Sequence, residues 1–122
     1  MSPSDAPPTL RLAHFGTFDV ANYGDLLFPG LLERRLPGVA VTHVSPVGGA
    51  PVWEGCVGTI STDEAMHREF DAIVVGGGHL IHAQPSDVAA YREAPGEGLF
   101  AYADLWLGAT IRAAELGVPI VW

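Results

Sequence analysis

Short apolar runs alternate with apolar positions at helical spacing along most of this chain. Leu10-Arg-Leu-Ala-His-Phe15 reads as a first strand ending at Gly16. From about Leu26 to Leu36, Leu27, Leu31 and Leu32 recur at helical spacing. Pro29 is expected in the first turn of that helix, where a missing N–H is tolerated, and Pro37-Gly38 closes it. Val39 to Val44 alternates as a second strand, and the Gly- and Pro-rich stretch from Ser45 to Gly58 reads as irregular loop. Ser61 with Glu64 three residues on is a capping-box pattern, which predicts a short helix to about Phe70. Asp71-Ala-Ile-Val-Val75 is nearly continuous in apolar residues, as expected of a strand buried on both faces of a parallel sheet. Gly76-Gly77-Gly78 follows it at once. A long connection from about His82 to Gly98 leads to a helix from about Leu99 to Leu116, with Gly117 as its C′ residue. Val118 to Trp122, with Pro119 near its start, reads as a last strand whose apolar edge would favour association.

This order of elements predicts an α/β fold with a doubly wound, mainly parallel Rossmann-like sheet. Residues 1–9, rich in Pro and Ser, read as a flexible leader, and 10–122 as a single domain. The pattern stops in a strand with no closing helix, so the expectation is the front part of a longer protein. Length agrees with one domain, since 122 residues rarely divide into two. With 48% hydrophobic and 16% charged residues the chain can build a core. Its net charge of −8 argues against nucleic acid or an anionic membrane as partner, because both need a basic patch. No apolar run approaches the ~20 residues of a spanning helix, and the first residues lack the charged and apolar regions of a signal peptide. A cytoplasmic location is the expectation. The single Cys56 excludes an internal disulfide and any zinc site built from several Cys.

In an open parallel sheet, ligands bind beyond the carboxyl ends of the strands. The loop Gly16 to Asp25 follows the first strand there, and Asn22, Gly24 and Asp25 stand where a helix begins. They fit two readings. In one, Asp25 caps the helix, Gly24 makes a tight turn and Asn22 closes an Asx-turn. In the other, Asn22 and Asp25 offer a hydrogen-bonding edge to a sugar hydroxyl. Gly76, Gly77 and Gly78 imply positive φ or close backbone approach, either for packing or for a ligand held on bare amides. They are not a dinucleotide fingerprint, since the third glycine of G-x-G-x-x-G is absent. The chain has no Lys, which excludes the usual phosphate loop. His79 is placed facing the cleft. With His82 it makes an H-x-x-H pair, but without a third ligand no metal site is assigned. His14 and His43 read as packed strand residues, Cys56 as unreactive, and Phe100, Tyr102 and Trp106 as core. Trp53, in a Gly/Pro-rich loop, is a candidate stacking surface for a sugar ring.

Three segments, in this order and spacing, resemble the polysaccharide pyruvyl transferase family. They are Phe15-Gly16 with Asn22, Gly24 and Asp25, then Asp71-Ala-Ile-Val-Val-Gly-Gly-Gly78, then Ala114-Glu-Leu-Gly-Val-Pro-Ile-Val121. The resemblance implies the N-terminal lobe of a two-lobe, glycosyltransferase-B-like protein. It implies transfer of the enolpyruvyl unit of phosphoenolpyruvate to a sugar hydroxyl pair to form a ketal, with phosphoenolpyruvate as donor substrate and no cofactor. Asp25 would then orient or deprotonate the attacking hydroxyl. Asn22, Gly24, Gly76, Gly77, Gly78, His79 and Arg92 would line the substrate. His79 and His82 stand where the family implies small or apolar residues.

An anionic donor needs several cations. Of the six Arg, only Arg92 falls in a loop expected at the cleft; Arg34, Arg35, Arg68 and Arg112 are expected on solvated helix faces. The donor site is therefore expected in a C-terminal lobe or second polypeptide, the acceptor sugar on this lobe, and no turnover from this chain alone. Two other readings stand beside this one: a lobe of a nucleotide-sugar glycosyltransferase, and a non-catalytic α/β binding module.

Overall fold

The computed structural model describes residues 9–18, 23–76 and 101–122. Five strands form one sheet: β1 (Arg11–Phe15), β2 (Ala40–Ser45), β3 (Ile60–Ser61), β4 (Ala72–Val75) and β5 (Ile120–Val121). Their order is β3-β2-β1-β4-β5 and every pairing is parallel. The fold is α/β with a Rossmann-like strand order, as the alternation predicts. β3 was not expected; at two residues it is too short to show a period.

Side chains alternate across the sheet, so the two faces differ. On one, Ala13, Phe15, Val44, Ile73 and Val75 pack against Leu105, Ala109 and Ala113 of a long helix, with Ala65 and Phe70 closing the cluster. That helix is α3 (Ala101–Leu116). Its inward positions Leu105, Ala109 and Ala113 recur every fourth residue, and the two alanines let the backbone lie close to the strands. It ends as the sequence predicts. Gly117 has φ +67°, its N–H donates to the Ala114 carbonyl (3.3 Å), and the Val118 N–H donates to the Ala113 carbonyl (3.1 Å). This is the paired 6→1 and 5→2 ending of a Schellman motif. Val121 and Trp122 are more than half exposed on β5 and just after it.

The other face carries Leu12, His14 and His43 under α1 (Tyr23–Arg35). Because α1 begins at Tyr23, Pro29 lies well inside it rather than in the first turn. Of the leucines that suggested the helix, Leu32 is half-buried and the other two point outward. Leu27 is 46% and Leu31 51% exposed, while Leu26 and Pro29 are buried. Leu26 and Pro29 face inward, and the half-exposed Glu33 reaches past them to His43 (Glu33 Oε1 to His43 Nε2, 3.1 Å).

α2 (Thr62–Ala65) starts as predicted, with Ser61 Oγ accepting from the Glu64 N–H at 3.0 Å. It stops short of Phe70. After Met66 the bonds tighten to i→i−3, from His67 to Glu64 (3.0 Å) and from Arg68 to Ala65 (3.2 Å). Arg112 Nε then donates to the freed Arg68 carbonyl at 2.9 Å. The Arg112 side chain is only 13% exposed, so it is not the solvated residue that the sequence suggests. In β4, Ile73 and Val75 are buried but Ala72 and Val74 only half-buried, so burial on both faces is incomplete.

Candidate functional site at the carboxyl end of the sheet

In strand order 3-2-1-4-5 the topological switch point lies between the first and fourth strands. The Gly16 loop follows β1 and Gly76 follows β4, and the Gly76 N–H donates to the Phe15 carbonyl at 3.1 Å. The strand ends from which both loops depart therefore lie side by side.

The start of the first loop is held by side chains. Phe18 is buried, with its ring tilted on His14 at 4.6 Å between centroids. A Cβ on Gly16 would run into that ring, which is why glycine stands there. The Phe18 N–H donates to Ser45 Oγ (2.8 Å), and Ser45 Oγ donates to the Gly16 carbonyl (2.7 Å). One buried hydroxyl thus clamps the turn to the end of β2. Thr17 Oγ1 donates to Asp25 Oδ2 at 2.9 Å, tying the loop to the first turn of α1.

Asp25 is half-buried within that first turn, two residues past the first helical residue, and so is not the cap itself. There its charge complements the helix dipole. Gly24 is exposed beside it. Gly76 is half-buried, lacks positive φ, and a Cβ there would meet no described atom within 4 Å. At Gly76, then, the expectation of positive φ or crowding is not met. Asn22, Gly77, Gly78, His79, His82 and Arg92 lie outside the described residues.

Arginines, more than acids, are sorted along the strand axis. Helices return antiparallel to the strands, so their first turns lie at the carboxyl end of the sheet. Those first turns hold Asp25, Asp63, Glu64 and Asp104. The described arginines lie toward the opposite end among the acids Glu33, Glu69, Asp71 and Glu115, except that Arg68 reaches back to pair with Glu64 at 3.4 Å. Arg11 opens β1 and is paired with Asp71 (3.1 Å), Arg34 and Arg35 close α1, Arg68 follows α2, and Arg112 stands in the C-terminal half of α3. Arg11 holds the Asp71 carboxyl below its usual range through hydrogen bonds and attraction, and Asp71 raises the Arg11 guanidinium in return.

A cavity of about 340 Å³ opens between α2 and α3 beside this acidic rim. Asp63 and Asp104 stand on its wall with Met66, Leu107 and Ile111. Thr62 also lines it, and the buried Thr62 Oγ1 has no hydrogen-bond partner among the described residues. Trp53, the candidate stacking residue, is 44% exposed, and Cys56 is half-buried with a free thiol. Among the described residues, no three His, Cys, Asp or Glu side chains gather to hold a metal ion. No described helix is long and apolar enough to cross a membrane.

The histidines read as packed strand residues are indeed buried, and they touch. His14 and His43 sit in register on β1 and β2, with Nδ1 to Nδ1 at 3.1 Å. Burial first, and then its neighbour His43, lower His14 to about 4, against a main-chain hydrogen bond with Gly76 that favours the charged form. Burial also lowers His43, opposed by Glu33.

Sequence reasoning missed Thr17, Ser45, Glu33, Asp63 and Asp104. Asp63 and Asp104 carried a usable signal, as acids expected in helix first turns. Compared with known proteins, the chain finds no counterpart: no protein-family model, no curated protein and no solved structure matches it.

Proposed function

We propose that this chain is the acceptor-side lobe of an enzyme resembling the polysaccharide pyruvyl transferases, holding a sugar at the switch point. The observation that carries the reading is the sorting of charge. The acids Asp25, Asp63 and Asp104 stand at the mouth with Glu64, which Arg68 pairs at 3.4 Å, and the other described arginines stand toward the other end of the sheet. Carboxylates accept hydrogen bonds from sugar hydroxyls but repel a donor bearing a carboxylate and a phosphate.

In the proposed reaction one sugar hydroxyl adds to C2 of the enolpyruvyl unit while the methylene carbon takes a proton. Phosphate leaves with its bonding pair, and the second hydroxyl closes the ketal. Of the two hydroxyl protons, one balances the proton gained by carbon and the other leaves with phosphate. Asp25 is the group that orients or deprotonates a hydroxyl. Its carboxylate is aimed by Thr17 Oγ1. Asn22, Gly24, His79 and the glycines 76–78 complete the acceptor side. The phosphoenolpyruvate site, with the acid acting on its methylene carbon, belongs to a C-terminal lobe or second polypeptide, to which Arg92 would contribute from this side.

The test is a titration of the isotope-labelled chain with sugars bearing vicinal or 4,6-hydroxyl pairs, and separately with phosphoenolpyruvate. Sugars are expected to shift the amide resonances of 16–18, 25 and 76, and Asp25→Asn to weaken that response without lowering Tm by more than a few degrees. Shifts produced by phosphoenolpyruvate but by no sugar would overturn the assignment of this lobe to the acceptor.

A further inference from the structure

The buried face beneath α1 holds a line of polar groups that the proposed chemistry does not use. It runs from Glu33 Oε1 to His43 Nε2 (3.1 Å), from His43 Nδ1 to His14 Nδ1 (3.1 Å), and on from His14 to the Gly76 main chain. One end is reachable. Glu33 is about half exposed, and with His43 it lines a cavity of about 480 Å³. The His43 side chain is only 3% exposed, and His14 is buried at 3%.

Proton counting shows what this line can do. A carboxylate only accepts, so the first gap requires a hydrogen on His43 Nε2. The gap between the rings requires one hydrogen, on either Nδ1. The Gly76 hydrogen bond favours charged His14, as an accepting carbonyl does, so the third gap requires a hydrogen on His14. Three gaps need three ring hydrogens, whereas two neutral imidazoles carry two. In the neutral pair His43 bears Nε2–H and His14 bears Nδ1–H, and the contact to Gly76 is the one left without its hydrogen. A single added proton completes the line. The pair then carries one positive charge, facing the Glu33 carboxylate through His43. A second added proton would set two N–H groups against each other across 3.1 Å, so uptake stops at one.

We propose that His14 and His43 together form a single-proton site, entered from Glu33, whose occupancy decides whether His14 holds the Gly76 carbonyl at the mouth of the candidate site. It deepens the reading of that mouth by adding acid-dependent anchoring of the glycine turn, and it rests on that reading only for its use. The groups facing the pair are Glu33 from α1, the Gly76 main chain after β4, and the Phe18 ring, which lies 4.6 Å from His14 and 5.8 Å from His43 between centroids. Asp25, on the same helix, is turned to Thr17.

The experiment follows the imidazole ¹⁵N resonances of the full chain, in chelator, as pH is lowered from 8 to 3.5. At high pH each ring is expected to show one unprotonated nitrogen, Nδ1 in His43 and Nε2 in His14. On acidification one of the two is lost, and the Gly76 amide moves with the same midpoint. Glu33→Gln, a change at a half-exposed position, is expected to lower that midpoint while the fold and the ring-to-ring contact persist. Two separate protonations near the ordinary histidine value, no protonation in this range, or a Gly76 amide that stays still would each overturn the proposal. So would a midpoint unmoved in Glu33→Gln. No sugar or phosphoenolpyruvate is present, so failure of the proposed function leaves this readout untouched.

Discussion

Gly16 shows how much of this site rests on single atoms. A Cβ there would occupy the space of the Phe18 ring, whose N–H is bound by Ser45 and whose face lies on His14. Gly16→Ala is therefore expected to destabilise the chain by about 1–3 kcal/mol, the usual cost of overpacking, read from urea unfolding. Thr17→Val keeps the shape and removes the donor to Asp25 Oδ2, and is expected to cost about 1 kcal/mol. An unchanged urea midpoint in Thr17→Val would mean that the hydroxyl does not aim the carboxylate. The histidine pair makes a prediction in pH. An unfolded histidine takes a proton near 6.5, whereas folded His14 resists until about 4, chiefly through burial. Their stabilising contribution is complete above about pH 6.5 and is lost as pH falls toward 4, because the unfolded chain binds the proton first. For His14 the loss is on the order of 3 kcal/mol across that window. His14→Gln should flatten the fall of stability between pH 6.5 and 4, measured by unfolding at each pH; an equally steep fall would place the acid sensitivity elsewhere.

Elements were legible in the sequence where a local rule fixes them. The apolar runs of β1, β2 and β4, the Ser61 cap and the Gly117 ending all follow from residues within a few positions of one another. Ser61→Ala should accordingly cost about 0.5–2 kcal/mol and speed hydrogen exchange at the Glu64 amide, which is the group it caps. Unaltered exchange there would show that the α2 start is held by packing alone. The misread elements depend on partners far along the chain. Leucines at 27 and 31 form the more apolar stripe of α1, yet the helix turns Leu26 and Pro29 inward, over a strand face where His43 meets the half-exposed Glu33. α2 fails to reach Phe70 while Arg112, 44 positions away, bonds the Arg68 carbonyl. The candidate site divides in the same way. Its loops and Asp25 were visible from spacing, whereas the Ser45 clamp and the His14–His43 contact join residues 27 to 29 positions apart and exist only through strand register.

At the scale of the whole molecule, one arrangement serves two ends. Placing Asp25, Asp63, Glu64 and Asp104 in helix first turns stabilises each helix against its own dipole. Because the strands are parallel, those turns gather at one end of the sheet, and an acid-rich mouth follows from helix chemistry combined with topology. The same logic puts Arg34 and Arg35 in the last turn of α1, away from the mouth. Such a mouth opposes any ligand with concentrated negative charge, and the opposition is strongest when salt is low. Calorimetry of this chain with phosphoenolpyruvate is thus expected to give no binding tighter than about 1 mM, weaker than about 4 kcal/mol. Raising the salt should ease the approach rather than hinder it. A micromolar dissociation constant that weakened with added salt would require cations at the mouth, and would move the donor onto this lobe.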